Sequence, residues 1–206
     1  YFYPIPVAEK NVTYDISVDI DNGYIYIASW AGMLRRIKYT DFNPIWELVP
    51  LPEDIDSIGD EDEISCASFS SQSYVYNPQD PQYGGNHNHK PYAVHIEGDV
   101  IWVGTANGAD KWDGTSWSHI QAQGGFNPSN FYDLTSDSTY LYAGTNAGAC
   151  QYRLSDLGRV DCWNYYSSPE GLPSSWVYSV AMLSNGFLYA GTNYGAGVID
   201  VVNDTV

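Results

Sequence analysis

Short apolar runs, each closed by a glycine-bearing turn, recur along this chain. Tyr24-Ile25, Val100-Ile101, Tyr140-Leu141 and Phe187-Leu188 lead into Tyr26-Ile-Ala-Ser-Trp-Ala-Gly32, Trp102-Val-Gly-Thr-Ala-Asn-Gly108, Tyr142-Ala-Gly-Thr-Asn-Ala-Gly148 and Tyr189-Ala-Gly-Thr-Asn-Tyr-Gly195. A brief apolar run bounded by turn residues predicts a strand covered on both faces. The Thr-x-x-Gly that follows predicts a tight hairpin, with glycine taking a positive φ. A further strand comes next in each copy, at 33–39, 109–112, 149–154 and 196–202. Upstream lies a strand ending in a polar turn, clearest in Ile16 to Gly23 and Val177 to Gly186. Downstream, turns such as Asp113-Gly114 and Asp156 to Gly158 lead to strands bearing Trp46, Trp117 and Trp163. The pattern therefore predicts four strands per repeat.

Thr105 to Thr145 spans 40 residues and Thr145 to Thr192 spans 47, the length of one propeller blade. Ser29 to Thr105 spans 76, which is one blade plus a long insertion or two blades with one unreadable; the lack of a second aromatic-x-Gly-Thr in the extra stretch favours the insertion. The expected fold is all-β: a small β-propeller of about four four-stranded antiparallel blades in a single domain, 1–206. The repeats fall at about 13–50, 91–120, 131–166 and 176–206, with the insertion at about 53–90. Leu172-Pro-Ser-Ser-Trp-Val-Tyr-Ser-Val-Ala, then Asn185-Gly186, Leu188-Tyr-Ala-Gly-Thr192 and Gly195, resembles the repeats of two-component-regulator-type β-propellers. That resemblance implies a secreted or surface protein, or the sensor domain of a receptor. It specifies fold far better than activity, because propellers host many unrelated functions.

The two ends of the chain look complementary. Tyr1, Phe2, Tyr3 and Pro4 read as an outer strand (1–6) without a blade of its own, whereas the last repeat ends on its third strand, with Val198, Ile199 and Val201. Joined within one molecule, these halves would close a ring; joined between molecules, they would add a strand to a neighbour and build head-to-tail polymers.

Charge narrows the partners. Eight Lys and Arg against 25 Asp and Glu give a net charge of −17, which disfavours nucleic acid and anionic membrane and welcomes cations or basic partners. No apolar run approaches the length of a membrane span. The acidic loop Glu53 to Glu63 offers Asp54, Asp56, Asp60 and Asp62 as oxygen ligands for Ca²⁺, without the spacing of an EF-hand. His87 and His89 alternate as two ligands on one strand face would, with nothing near in sequence to complete a metal set.

Cys150 and Cys162 flank the Asp156 to Gly158 turn symmetrically. An antiparallel hairpin would set them opposite one another as a disulfide, in keeping with an oxidising location. Cys66 has no evident partner. Asn11 and Asn203 begin sequons for N-glycosylation. No Ser-His-Asp, His-Glu-x-x-His or phosphate-loop pattern is present, and no carboxylate pair is singled out for glycoside chemistry. Among 7 Trp and 19 Tyr, those at one repeated position (Tyr26, Trp102, Tyr142, Tyr189) read as packing between blades. Trp30, Trp112, Trp176 and Tyr194 do not repeat and are the ligand candidates. The expectation is a non-catalytic extracellular or cell-surface propeller that associates with itself, glycans or other surface proteins. The alternatives are a ligand-sensing module of a receptor and a carbohydrate-active enzyme.

Overall fold

The structure, a computed structural model, describes residues 13–29, 33–49, 51, 91–106, 108–121, 130–163 and 171–206. Fifteen strands and no helix occur among them: β1 (Thr13–Asp19), β2 (Tyr24–Ser29), β3 (Met33–Lys38), β4 (Trp46–Leu48), β5 (Pro91–Glu97), β6 (Val100–Thr105), β7 (Gly108–Trp112), β8 (Trp117–Gln121), β9 (Phe131–Ser136), β10 (Tyr140–Thr145), β11 (Gly148–Arg153), β12 (Arg159–Trp163), β13 (Val177–Met182), β14 (Phe187–Thr192) and β15 (Gly195–Asp200). They form four antiparallel sheets in chain order, β1-β2-β3-β4, β5-β6-β7-β8, β9-β10-β11-β12 and the three-stranded β13-β14-β15. The fold is all-β and propeller-type, one sheet per sequence repeat. The chain divides into two compact units, Tyr1–His119 and Ile120–Val206, each holding two of the sheets.

The Thr-x-x-Gly signature does what its chemistry dictates. Thr105, Thr145 and Thr192 pair across the hairpin with Gly108, Gly148 and Gly195, and each threonine hydroxyl donates to that glycine's carbonyl at 3.1, 2.7 and 2.9 Å. Those glycines have φ of 113, 135 and 133°, a region costly for any residue with a Cβ. The first sheet differs: Ser29 pairs with Met33, so its hairpin is one residue longer.

Three of the turns are capped by their own aspartates. Asp113 Oδ1 accepts the backbone N–H groups of Thr115 and Ser116, Asp137 Oδ1 those of Thr139 and Tyr140, and Asp200 Oδ1 those of Val202 and Asn203. A short acid that caps its own turn replaces missing ladder bonds.

Each unit has its own core. In the first, Tyr26, Ala28 and Leu34 meet Val94, Ile101 and Val103 of the following sheet. In the second, Tyr142, Ala149 and Trp163 meet Val180, Leu188 and Ile199. The recurring aromatics Tyr26 and Tyr142 therefore pack between sheets, as their repetition suggests. The outer-strand tryptophans are not equivalent, however. Trp46 lies opposite Ile37, whereas Trp163 lies opposite Ala149, on the other face of its sheet and at its other end.

One cross-strand slot is filled differently in each unit. Cys150 and Cys162 pair across β11 and β12, with Cα atoms 4.0 Å apart, and form a disulfide. The same slot in the second sheet holds buried Asp110, whose Oδ1 lies 2.8 Å from His119 Nδ1. Covalent bond and hydrogen bond thus clamp the third strand to the fourth at corresponding places.

Candidate functional site

Each sheet carries a β-bulge near the start of its first strand, and each bulge inserts a tyrosine. Thr13 pairs with Ser29 and Asp15 with Ala28, which leaves Tyr14 as the extra residue. Tyr92 is skipped between Pro91 and Ala93, Tyr132 between Phe131 and Asp133, and Tyr178 between Val177 and Ser179. A bulge re-aims one side chain and strengthens the local twist without moving the rest of the strand to the wrong face. Here it turns an aromatic ring out of the sheet alternation four times.

In the second unit the re-aimed rings gather. Tyr132 and Tyr178 have ring centroids 5.1 Å apart, and Trp176 lies 6.3 Å from Tyr132 at an interplanar angle of 23°, and 6.4 Å from Tyr178. Trp176 and Tyr178 are each 47% exposed, so these rings touch one another and still face solvent. The backbone of Trp176 is held at both ends: its N–H donates to Ser174 Oγ at 3.1 Å and its carbonyl accepts from Asn193 N–H at 3.3 Å. Beside the platform, Asn130 Nδ2 donates to the Tyr132 hydroxyl at 3.1 Å, and Asn130 N–H donates to Asn146 Oδ1 at 3.0 Å. The first unit has a smaller counterpart, the edge-on pair Tyr14 and Tyr92 at 5.1 Å.

The residue after two of these tyrosines locks neighbouring sheets together. Asp133 Oδ1 accepts Leu134 N–H at 2.9 Å and its Oδ2 accepts Val180 N–H of β13 at 2.8 Å. Asp15 repeats the arrangement with Ile16 and with Val94 of β5, both at 2.8 Å. Since β5 and β13 are edge strands, these outward N–H groups find a carboxylate in place of a ladder partner. The two clusters of rings are thus seated on rigid sheet pairs.

A separate cavity of about 400 Å³ opens in the second unit beside the β9–β10 and β13–β14 turns. On its lining, the Tyr142 hydroxyl donates to Asp137 Oδ2 at 2.9 Å and accepts from Gln151 Nε2 at 3.3 Å. Burial, with the Asp137 bond second, pushes this phenol up to about 12.

No protein-family model matches the chain, and no curated protein sequence matches it. The likeness lies in solved structures. The extracellular domain of BT4673 from B. thetaiotaomicron, described as a hybrid two component system, superposes with a TM-score of 0.58 at 21% identity over 90% of this chain. The corresponding domain of BT3049 from the same organism gives 0.59 at 18% over 96%. The computationally designed Ika4 protein gives 0.54 at 10%, with 92% of this chain and 91% of that one matched. The fold is shared. The chain spans about a fifth to a quarter of the length of the B. thetaiotaomicron domains, 21% and 24%. These proteins are of the two-component kind that the repeat motif resembles.

Of the ligand candidates, Trp176 is part of the platform and Tyr194, highly exposed, is next in sequence to the Asn193 that holds the Trp176 backbone. Trp112 is buried in the core of the first unit with Trp117 at 5.5 Å, so it is a packing residue. Trp30, Asn11, the assembly residues Tyr1 to Pro4 and the calcium candidates Asp54, Asp56, Asp60 and Asp62 lie outside the described residues, as do Cys66, His87 and His89. Among the described residues no group of three or more His, Cys, Asp or Glu side chains is placed to hold a metal ion. Of the remaining assembly residues, Val198 is exposed, Ile199 is fully buried and Val201 packs against the core of the second unit. The side-chain nitrogen of Asn203, the sequon position, donates to Asp200 Oδ2 at 2.7 Å in an exposed turn.

The platform tyrosines were not among the candidates, because the repeated aromatics weighed from the sequence were those of the second strand, Tyr26, Trp102, Tyr142 and Tyr189. The signal is visible in retrospect: Tyr is the second residue of Thr13-Tyr14, Pro91-Tyr92, Phe131-Tyr132 and Val177-Tyr178.

Proposed function

We propose that this protein is a non-catalytic, extracellular ligand-binding module of the sensing kind, with the Tyr132, Trp176 and Tyr178 platform as its recognition surface. The observation that carries the reading is a cluster of three mutually contacting rings on hydrogen-bonded backbone, with Trp176 and Tyr178 each 47% exposed and Tyr132 half-buried beside them. Preformed aromatic faces edged by amides suit a ligand with one apolar face and a hydroxyl rim, which is the chemistry of a glycan. The fold likeness to extracellular domains of two-component proteins and the Cys150–Cys162 disulfide support an oxidising, extracellular setting.

Titration calorimetry against a panel of soluble oligosaccharides tests this. Trp176→Ala is expected to weaken a bound glycan by at least tenfold, with unchanged circular dichroism. Equal affinity of Trp176→Ala and the parent protein for every glycan bound would remove the platform from recognition. Glycan cleavage during the titration would replace binding with catalysis.

A further inference from the structure

The strand registers place one residue of the third strand directly opposite the repeated aromatic of the second. In the first unit that residue is a cation both times, Arg36 opposite Tyr26 and Lys111 opposite Trp102. Arg36 Nε lies 2.8 Å from Glu47 Oε2, its guanidinium carbon is 4.5 Å from the centroid of the Tyr24 ring, and it hydrogen-bonds the Tyr26 hydroxyl. Lys111 Nζ lies 5.1 Å from the Trp102 ring centroid. In the second unit the same residue is Gln151 opposite Tyr142 and Val198 opposite Tyr189.

Around Gln151 the rest of the Arg36 arrangement is kept. Tyr140 and Tyr142 stand 6.3 Å apart at 58°, as Tyr24 and Tyr26 do at 6.1 Å and 51°. Asp137 N–H donates to the Tyr140 carbonyl, which sets Asp137 opposite Tyr140 as Asp19 is set opposite Tyr24. Asp161 faces Gln151 where Glu47 faces Arg36. Arg153, at the place of Lys38, pairs with Asp156 at 3.1 Å. Acids and rings persist while the cation is replaced by a neutral amide, and Asp137, Tyr140, Tyr142 and Gln151 line the cavity of about 400 Å³.

From this we infer that the cavity binds an organic guanidinium, a small alkylguanidine or an arginine side chain, in the role that Arg36 fills in the first unit. The Tyr142 hydroxyl proton goes to Asp137, so the Gln151 group facing that hydroxyl is the amide nitrogen and the amide oxygen is left as an acceptor. Gln151 is more than nine-tenths buried, and its oxygen has no hydrogen bond among the described residues. Asp137 Oδ1 accepts two backbone N–H groups, whereas Oδ2 accepts the Tyr142 hydroxyl and keeps a second lone-pair site. Free acceptors beside a carboxylate call for a donor-rich cation. A planar guanidinium supplies paired N–H groups and a face to lie on Tyr140. Met182, Leu183, Val201 and Val202 wall the cavity for an alkyl stem. One carboxylate and one amide make a poor set for calcium, which takes six to eight oxygens. The cavity shares no residue with the Tyr132, Trp176 and Tyr178 platform.

Titration calorimetry of the full chain with ethylguanidinium chloride, in about 0.15 M sodium chloride to screen exposed charges beyond about 8 Å, is the test. One ion is expected to bind per chain. Neutral ethylurea, of the same shape, should bind more than roughly tenfold more weakly, the loss carried by a hydrogen bond to a charged group. Gln151→Arg, which rebuilds the arrangement of the first unit, should abolish binding and raise the thermal midpoint. Asp137→Asn, which keeps an oxygen for the turn, should weaken binding by roughly tenfold and serves as the second variant should Gln151→Arg not give the parental circular dichroism spectrum. Trp176→Ala should bind as the parent does. Equal binding of N-acetylarginine amide would identify the occupant as an arginine side chain, and its exclusion would identify a small alkylguanidine. No saturable binding of either guanidinium, equal binding of ethylurea, or undiminished binding by folded Gln151→Arg or Asp137→Asn would overturn the inference. So would loss of binding in Trp176→Ala, which would assign the ion to the platform.

Discussion

Replacing Asp133 by alanine removes two acceptors at once. Leu134 N–H and Val180 N–H, at 2.9 and 2.8 Å from the carboxylate, both lose that partner, and Val180 is buried. A hydrogen bond to a charged group is worth about 1.5–3 kcal/mol, and a buried donor left without an acceptor costs about 1–3 kcal/mol. Both bonds are part-buried, which trims each contribution, so the expected loss is about 2–3 kcal/mol, felt by the contact between β9 and β13. Hydrogen exchange followed by mass spectrometry reads it directly. About 2 kcal/mol corresponds to exchange roughly thirtyfold faster in the peptide covering 177–182. The peptide covering 91–97 should stay unchanged, because its lock is Asp15. Asp15→Ala should show the reverse pattern. Asp133→Asn retains one oxygen and should fall between parent and alanine. Unaltered exchange at 177–182 in Asp133→Ala would refute the lock, and equal acceleration in both peptides would show a general loosening.

Reduction of Cys150–Cys162, which closes a loop at a sequence separation of 12, should cost about 3 kcal/mol, visible as a lower thermal midpoint for the reduced protein or for Cys150→Ser with Cys162→Ser. Burial holds the His95 imidazole below its ordinary value, with Glu97 and then Asp15 pulling the other way. The unfolded chain therefore binds the proton more readily, and stability should fall as pH drops through about 6.5 toward the lower folded value. Denaturation midpoints between pH 8 and 5 should show that fall, and His95→Gln should flatten it.

Much of the fold was legible because its signals are local. Thr145 and Gly148 sit three apart and complete a hairpin by themselves, and the symmetric spacing of Cys150 and Cys162 about a turn set their register. What escaped depended on how strands align. Trp46 and Trp163 look equivalent along the sequence, but the longer first hairpin and the bulge near Tyr152 give their strands different registers. Trp112 appeared unrepeated and hence available; it is one step of the same alternation that buries Asp110, and it lies in the core. The tyrosines of the platform broke the period-two pattern by one inserted residue, which hydrophobic alternation cannot register without knowing the partner strand.

An inserted residue belongs to neither face of its sheet. The four bulge tyrosines therefore sit outside the packing code that Val94, Leu134 and Val180 must obey, and mutation there is freed from the demands of the interior. A lineage could rewrite positions 14, 92, 132 and 178 to meet a new ligand while the sheets beneath stayed as they are. The same four positions are the natural ones to randomise in a laboratory library.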